Sequence, residues 1–189
     1  MPNDININFD MSYSIDNDSL RAYPNNKNSM LLGILHLQEY LKLLDNKDAK
    51  EKAKLLSKIS YYQKLIGNYI DSEKNQLKSI KIFEKIDDKK SRFISLIRLA
   101  QIYQFKNNYD KSTEIFNQLE LEIDKDKNLD SYRDFLYQHI GKNEFEKKNY
   151  KLALDYFYKA LDIRNNKGDN DLIESTKLAI NRLESFINL

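Results

Sequence analysis

The feature that most limits what this chain can fold into is a self-similarity: the pairs Asn68-Tyr69, Asn108-Tyr109 and Asn149-Tyr150 recur, with tyrosine spacings of 40 and 41 residues. Recurrence at such a period marks stacked supersecondary units, because one unit cannot bury its own apolar face. A second series, Asp48, Asp88, Asp130 and Asp171, falls between these pairs at intervals of 40, 42 and 41 residues. Each aspartate precedes an apolar pattern of helical period, and an aspartate there can accept an otherwise orphaned amide hydrogen of the first turn. Asp48 with Glu51, and Asp171 with Glu174, have the spacing of capping boxes. The Asn-Tyr pairs then mark the turn inside each unit, since Asn tolerates left-handed backbone at a helix end and Gly67 tolerates it better. Each unit reads as helix, tight turn, helix.

The apolar spacing agrees. Leu96, Leu99, Ala100 and Tyr103 fall on one helical face, as do Tyr137, Ile140 and Gly141. The second helices repeat this with Ile115, Phe116 and Leu119, and with Ala153, Phe157, Ala160 and Leu161. Only 4 Gly and 2 Pro interrupt 189 residues, which favours long helices with few irregular connections.

With the small residues at fixed points beside aromatics, the stretch Leu96, Leu99-Ala100, Tyr103, Tyr109, Ser112, Phe116 resembles a tetratricopeptide repeat. So does Tyr137, Ile140-Gly141, Tyr150, Ala153, Phe157, Ala160. The first unit departs from the pattern, with Leu56, Ile59, Ser60 and Gln63, then Ser72 and Gln76 where Ala and an aromatic are expected. The period exceeds the family's usual 34 or so residues, which places about six extra residues per unit in longer helices and in loops such as Asp87 to Lys90. Variants of forty-odd residues occur in kinesin light chains and in bacterial signalling and peptide-sensing proteins. The fold this resemblance implies is all-α: a right-handed α-solenoid of antiparallel helix pairs with seven or eight helices. Its repeats cover about 48–87, 88–129 and 130–170, and a capping helix spans 171–188.

The ends complete the expected domain, 29–189. Residues 29–46, with Leu32, Leu35, Leu37, Leu41 and Leu44, read as a lone helix covering the first unit, and Ile173, Leu178, Ala179, Leu183 and Phe186 form the cap. Residues 1–28 differ. Ile5, Ile7, Phe9, Met11, Tyr13 and Ile15 alternate with polar residues, which is the period of an extended segment. Ala22 to Asn26 reads as a linker. This arm is expected either to be disordered, or to lie along the chain's own groove or add to a partner.

Catalysis finds little support. There is no Cys, and His36 and His139, the only histidines, fall in separate predicted helices. Gly33, Gly67, Gly141 and Gly168 are too scattered for a phosphate-cradling loop. No enzyme activity, metal or cofactor is expected. The net charge of +2, from 31 basic and 29 acidic residues, gives no strong field for nucleic acid. The apolar run Met30 to Leu35, broken by Gly33, is far below the ~20 residues of a membrane span. A cytoplasmic setting is expected.

The resemblance also implies a binding surface. In that family the first helix of each unit lines a concave groove, and its outward positions contact the ligand. Carried onto this sequence, these are Lys54, Lys58, Tyr61 and Lys64; Arg98, Gln101 and Gln104; and Gln138, His139 and Lys142. Amides that pair with backbone and cations that suit carboxylates favour an extended acidic peptide. The carboxylate clamp of chaperone-tail binders is disfavoured, because Ser57 and Tyr61 stand where it needs Lys and Asn. The stripe Lys74, Lys78, Lys81, Lys85 reads as a solvated face. The expected function is a non-catalytic scaffold or adaptor that binds a peptide or partner segment. Its alternatives are a bacterial regulatory, peptide-sensing or immunity protein that masks one partner, and a nucleic-acid binder using Lys-rich faces.

Overall fold

A computed structural model describes residues 8–44 and 48–187. Among them are eight α-helices: α1 (Lys27–Leu43), α2 (Ala49–Leu65), α3 (Tyr69–Lys85), α4 (Lys89–Phe105), α5 (Tyr109–Lys125), α6 (Arg133–Glu146), α7 (Tyr150–Lys167) and α8 (Asn170–Ile187). A short 3₁₀ turn, Lys127–Tyr132, precedes α6. Two strands, β1 (Tyr13–Ile15) and β2 (Ala22–Pro24), pair antiparallel in the register Tyr13 to Pro24, Ser14 to Tyr23 and Ile15 to Ala22. The architecture is all-α, each helix packing against its sequence neighbour within a unit. The chain forms two compact units, residues 1–15 with 22–106, and residues 16–21 with 107–189.

The tight turns share one construction. At the first, the Gly67 amide donates to the Lys64 carbonyl and the Asn68 amide to the Gln63 carbonyl, closing the last turn of α2 with the helix-ending motif that needs a left-handed residue. That residue is Gly67, with φ of 88°. Asn68 has φ of −84° and caps the next helix, its side chain accepting from the Asp71 amide. Asp87 and Lys148 hold the left-handed position before Asp88 and Asn149 in the same hydrogen-bond pattern, and Asn107 holds it before Asn108. The asparagine of each Asn-Tyr pair therefore starts a helix, and its predecessor carries the left-handed backbone expected of it.

Four consecutive helices are 17 residues long and begin at 49, 69, 89 and 109, a 20-residue step. The extra length over a standard repeat thus sits in the helices. No loop occurs at Asp87 to Lys90, where Lys89 already opens α4. The aspartate series is corrected in part. Asp88 caps α4 through the Ser91 amide at 3.0 Å. Asp48 makes no side-chain cap bond, and Glu51 pairs with Lys54 instead. Asp130 lies in the 3₁₀ turn and binds Arg133. Asp171 lies inside α8, whose first turn is capped by Asp169 at the Leu172 amide, 3.2 Å away.

In the first unit, Met30, Ile34 and Leu37 of α1 pack with Leu55, Ile59 and Leu65 of α2. Leu32 and Leu35, expected to cover that face, point to solvent, because the i, i+4, i+7 stripe that meets α2 is the one through Met30. The unit's helices also meet across a polar seam. Ser60 and Ser72 each donate to the other's carbonyl at 2.7 Å. Ser79 donates to the Ala53 carbonyl at 2.7 Å, and Gln76 to the Ser95 carbonyl at 3.0 Å. Ser72 and Gln76, the departures of the first repeat, are fully buried yet paired.

In the second unit, Leu20, Phe145, Ala153, Phe157, Ala179, Ile180 and Leu183 form one cluster. Gly141 is there because a Cβ would lie 2.6 Å from the Phe157 ring.

The arm packs on the chain at Phe9, Met11 and Tyr13; Ile5 and Ile7 lie outside the described residues. The stretch from Ala22 is a strand and not a linker, since its backbone pairs with the alternating segment.

Two substitutions separate backbone strain from packing. Gly67→Ala meets no atom but keeps a positive φ, and should lose about 1 kcal/mol in denaturant unfolding. Lys148→Gly, at φ of 65°, should gain up to about 1 kcal/mol. Gly141→Ala should lose about 1–3 kcal/mol by overpacking.

Candidate functional site

On the first unit the expected contact residues come from α2 and α4, and much of their chemistry is spent internally. Lys64 is only 3% exposed, and its ammonium donates to Gln101 Oε1 at 2.7 Å. It also lies 4.8 Å and 4.6 Å from the ring centres of Tyr61 and Phe105. Gln101 and Gln104 are buried as well. Four residues expected to point outward, Lys64, Gln101, Gln104 and Gln138, are therefore interior: α2, α4 and α6 bury side chains on most of their circumference and leave little free arc. Lys54 pairs with Glu51 at 2.7 Å. Lys58 is partly exposed and has no polar partner among the described residues.

The arm covers part of this face. The Tyr13 ring meets Tyr61 edge to face at 5.6 Å, and Tyr61 meets Tyr62 in the same manner at 5.7 Å. Met11 fills the space above Gly33, where a Cβ would lie 2.2 Å from its sulfur. Phe9 stands 6.1 Å from His36. Beneath Tyr13, Arg98 donates to Ser57 Oγ at 2.8 Å. Burial pushes the Arg98 guanidinium below its ordinary range, the tyrosine hydroxyls opposing it. Burial, then the hydrogen bond with Tyr13, raises the Tyr61 phenol well above its ordinary value.

On the second unit, residues 16–21 form a turn in which Ser19 donates twice to Asp16 Oδ1 and Leu20 adopts φ of 58°. That backbone carries the Leu20 side chain into the Phe145 and Phe157 cluster. Arg21 grips Glu146 with two nitrogens, and Asp18 pairs with Arg182 at 2.7 Å. His139 stacks edge to face on Phe135 at 4.6 Å.

Gln138 belongs to a buried network that sequence reading missed. Arg164, 2% exposed, donates to Asp134 Oδ2 at 3.1 Å, to Gln138 Oε1 at 3.1 Å, to Thr176 Oγ1 and to the Leu172 carbonyl. Lys167 also pairs with Asp134. Burial would raise the Asp134 carboxyl, but the hydrogen bonds and charges of Lys167 and Arg164 outweigh it and hold the pKa below the usual range. Arg164 sits on a second helix, whose residues read as outer surface. The faint cue was an arginine in line with the apolar positions Ala153, Phe157 and Ala160.

Lys142, one turn beyond Gln138 on α6, has its pKa lowered to about 8, first by burial and then by Arg164, with Glu146 opposing. No group of three or more metal-ligating side chains occurs among the described residues. None of their helices is long and apolar enough to cross a membrane.

The chain matches no family model and no curated protein.

Removing one partner of the buried pair leaves the other charge stranded, so Asp134→Asn should cost about 3–5 kcal/mol at neutral pH. Because the native carboxyl is depressed, this stabilisation is present above pH 3.8 and lost as pH falls further, which acid titration of unfolding would follow. Lys142 is shifted in the same direction for the opposite reason. Its protonated form is disfavoured in the fold, so stability should rise between about pH 8 and 10.5 as the native state releases its proton first, and Lys142→Met should abolish that rise.

Proposed function

We propose that this chain is a non-catalytic, tetratricopeptide-like binding protein that holds an extended segment of another polypeptide against the faces of its first helices, in a cytoplasmic setting. The observation that carries the reading is the arm itself. Residues of extended backbone already lie on the face of α1 and α2, with Met11 against Gly33 and Tyr13 on Tyr61. A surface that accepts its own alternating segment has the spacing to accept another, through pockets for alternate side chains.

The internal pairing of Lys64 and Arg98 weakens the expectation of a purely acidic ligand on this face. An aromatic group in the place of Tyr13 suits it better, with Lys54 and Lys58 at the margin for charge. The exposed stripe Lys74, Lys78, Lys81 and Lys85 lies on α3, and reads as a solubilising surface.

A photo-crosslinking side chain at position 54 of the intact protein, one turn from Lys58 on α2, should capture a polypeptide in cells. Recovery should fall severalfold in Lys58→Glu and rise in Tyr13→Ala, which weakens the arm's hold on the shared face. Crosslinks to nucleic acid alone, or equal recovery in all three proteins, would overturn the reading.

A further inference from the structure

The turn at residues 16–21 is closed by its own hydrogen bonds. The Asp16 amide donates to the Arg21 carbonyl and the Leu20 amide to the Asp16 carbonyl, each at 2.8 Å. The Ser19 amide and hydroxyl both donate to Asp16 Oδ1 at 2.7 Å. It meets the helices of the second unit through side chains. Leu20, 3% exposed, is seated among Phe145, Phe157, Ala179, Ile180 and Leu183. Arg21 forks onto Glu146, whose side chain is 9% exposed, while Asp18 reaches Arg182 from the open rim. One enclosed aliphatic anchor between two charge pairs of opposite sense is the anatomy of a small protein–protein contact: the buried centre supplies affinity and the rim supplies direction.

The turn fills this seat imperfectly, in two respects. Leu20 holds φ of 58°, a left-handed backbone that a branched L side chain adopts only at a cost. Arg182 is steadied over the Phe186 ring at 4.4 Å and donates from Nη2 to one oxygen of Asp18 at 2.7 Å, but its enclosed Nε has no hydrogen-bond partner. A guanidinium binds a carboxylate best through two parallel bonds, and an enclosed donor left without an acceptor is costly. Both penalties belong to the occupant and neither to the seat. A separate segment can bring its leucine on relaxed backbone, and a glutamate, one methylene longer than Asp18, has the reach to span Nε and Nη2.

We propose that the seat of Leu20 is a docking site for a partner polypeptide whose leucine is flanked by an acid and an arginine, and that residues 16–21 occupy it as a displaceable built-in ligand. The partner's leucine takes the place between Phe145, Phe157 and Leu183, its arginine pairs with Glu146, and its acid with Arg182. The site lies wholly within the second unit and does not depend on the face of α1 and α2.

The probe is a labelled, capped peptide of residues 15–22 carrying Asp18→Glu, titrated with the full chain and followed by fluorescence anisotropy. Leu20→Gly in the full chain vacates the seat and suits the left-handed backbone. An internal occupant lowers apparent affinity by the fraction of molecules in which the seat is open, so this variant should bind the peptide about tenfold more tightly than the parent protein does. Within the peptide, Leu20→Ala should cost about tenfold or more, as loss of a buried anchor does. Glutamine in place of the glutamate should cost severalfold, and so should Glu146→Gln in the vacated protein. Asp18→Ala with Arg21→Ala in the full chain keeps Leu20 and removes both rim pairs. It should tighten peptide binding severalfold, which keeps the outcome readable if Leu20→Gly folds poorly. Equal affinity for the parent and both opened variants, or no loss on Leu20→Ala in the peptide, would overturn the docking site. Equal binding of the glutamate and glutamine peptides would overturn the acidic requirement. A parent protein that sediments as a dimer, and as a monomer after Leu20→Gly, would give the seat to a second copy of this chain and overturn the assignment to a partner.

Discussion

The hydrogen bond from the Asn68 amide to the Gln63 carbonyl, with its counterparts from Asp88 to Phe83 and from Asn149 to Glu144, sets the terms for everything else in the chain. It ends one helix, and because its donor belongs to the residue that caps the next, it also begins another. No slack is left between the two events. A turn built this way fixes where the following helix starts, and thereby which of its residues face a neighbour. The residue before each cap bears the strain of left-handed backbone, and it is a glycine in only one of the four turns at 67, 87, 107 and 148. The other three are Asp, Asn and Lys, of which Asp and Asn tolerate the conformation best.

Fixed helix starts make close approach possible, and close approach makes the buried serines useful. A serine hydroxyl that reaches a carbonyl on the adjacent helix does what a small apolar residue does, while adding a bond. Ser60 and Ser72 bridge α2 and α3, and their mutual bonds at 2.7 Å leave neither hydroxyl unsatisfied. In the second unit the same kind of contact uses Gly141 and the Phe157 ring. Two chemistries thus solve one geometric problem.

These solutions explain how much could be read beforehand. The helices, their pairing and their near-forty-residue recurrence were legible, because apolar spacing and the Asn-Tyr pairs are local signals. The cap at Asp88 was legible for the same reason, whereas the Asn-Tyr pairs marked the turns but not the capping role of Asn68 and Asn108, and Asp130 and Asp171 misled because a neighbouring residue could begin the helix instead. The extended character of the arm was visible in its alternation from Phe9 to Ile15, but its pairing with Ala22 to Pro24 was not, since a three-residue strand with a proline resembles a linker. Ser72, Gln76, Lys64 and Arg164 were opaque as interior residues. Whether such a side chain is solvated or buried depends on a carbonyl or carboxylate from a different helix, and no pattern within one helix reports it. Lys64, Gln101, Gln104 and Gln138 were expected to face outward for that reason, and are interior.

The 20-residue step has a consequence for how such a chain can lengthen. Successive helices of the first unit alternate in direction, while their junctions are interchangeable in length. Duplication of a single step would join without strain at the turn yet reverse that alternation, setting the wrong face of a helix toward its neighbour and turning paired serines such as Ser72 toward water. Only even numbers of steps preserve the alternation. Recombination within such a gene is therefore filtered by parity before stability is ever tested.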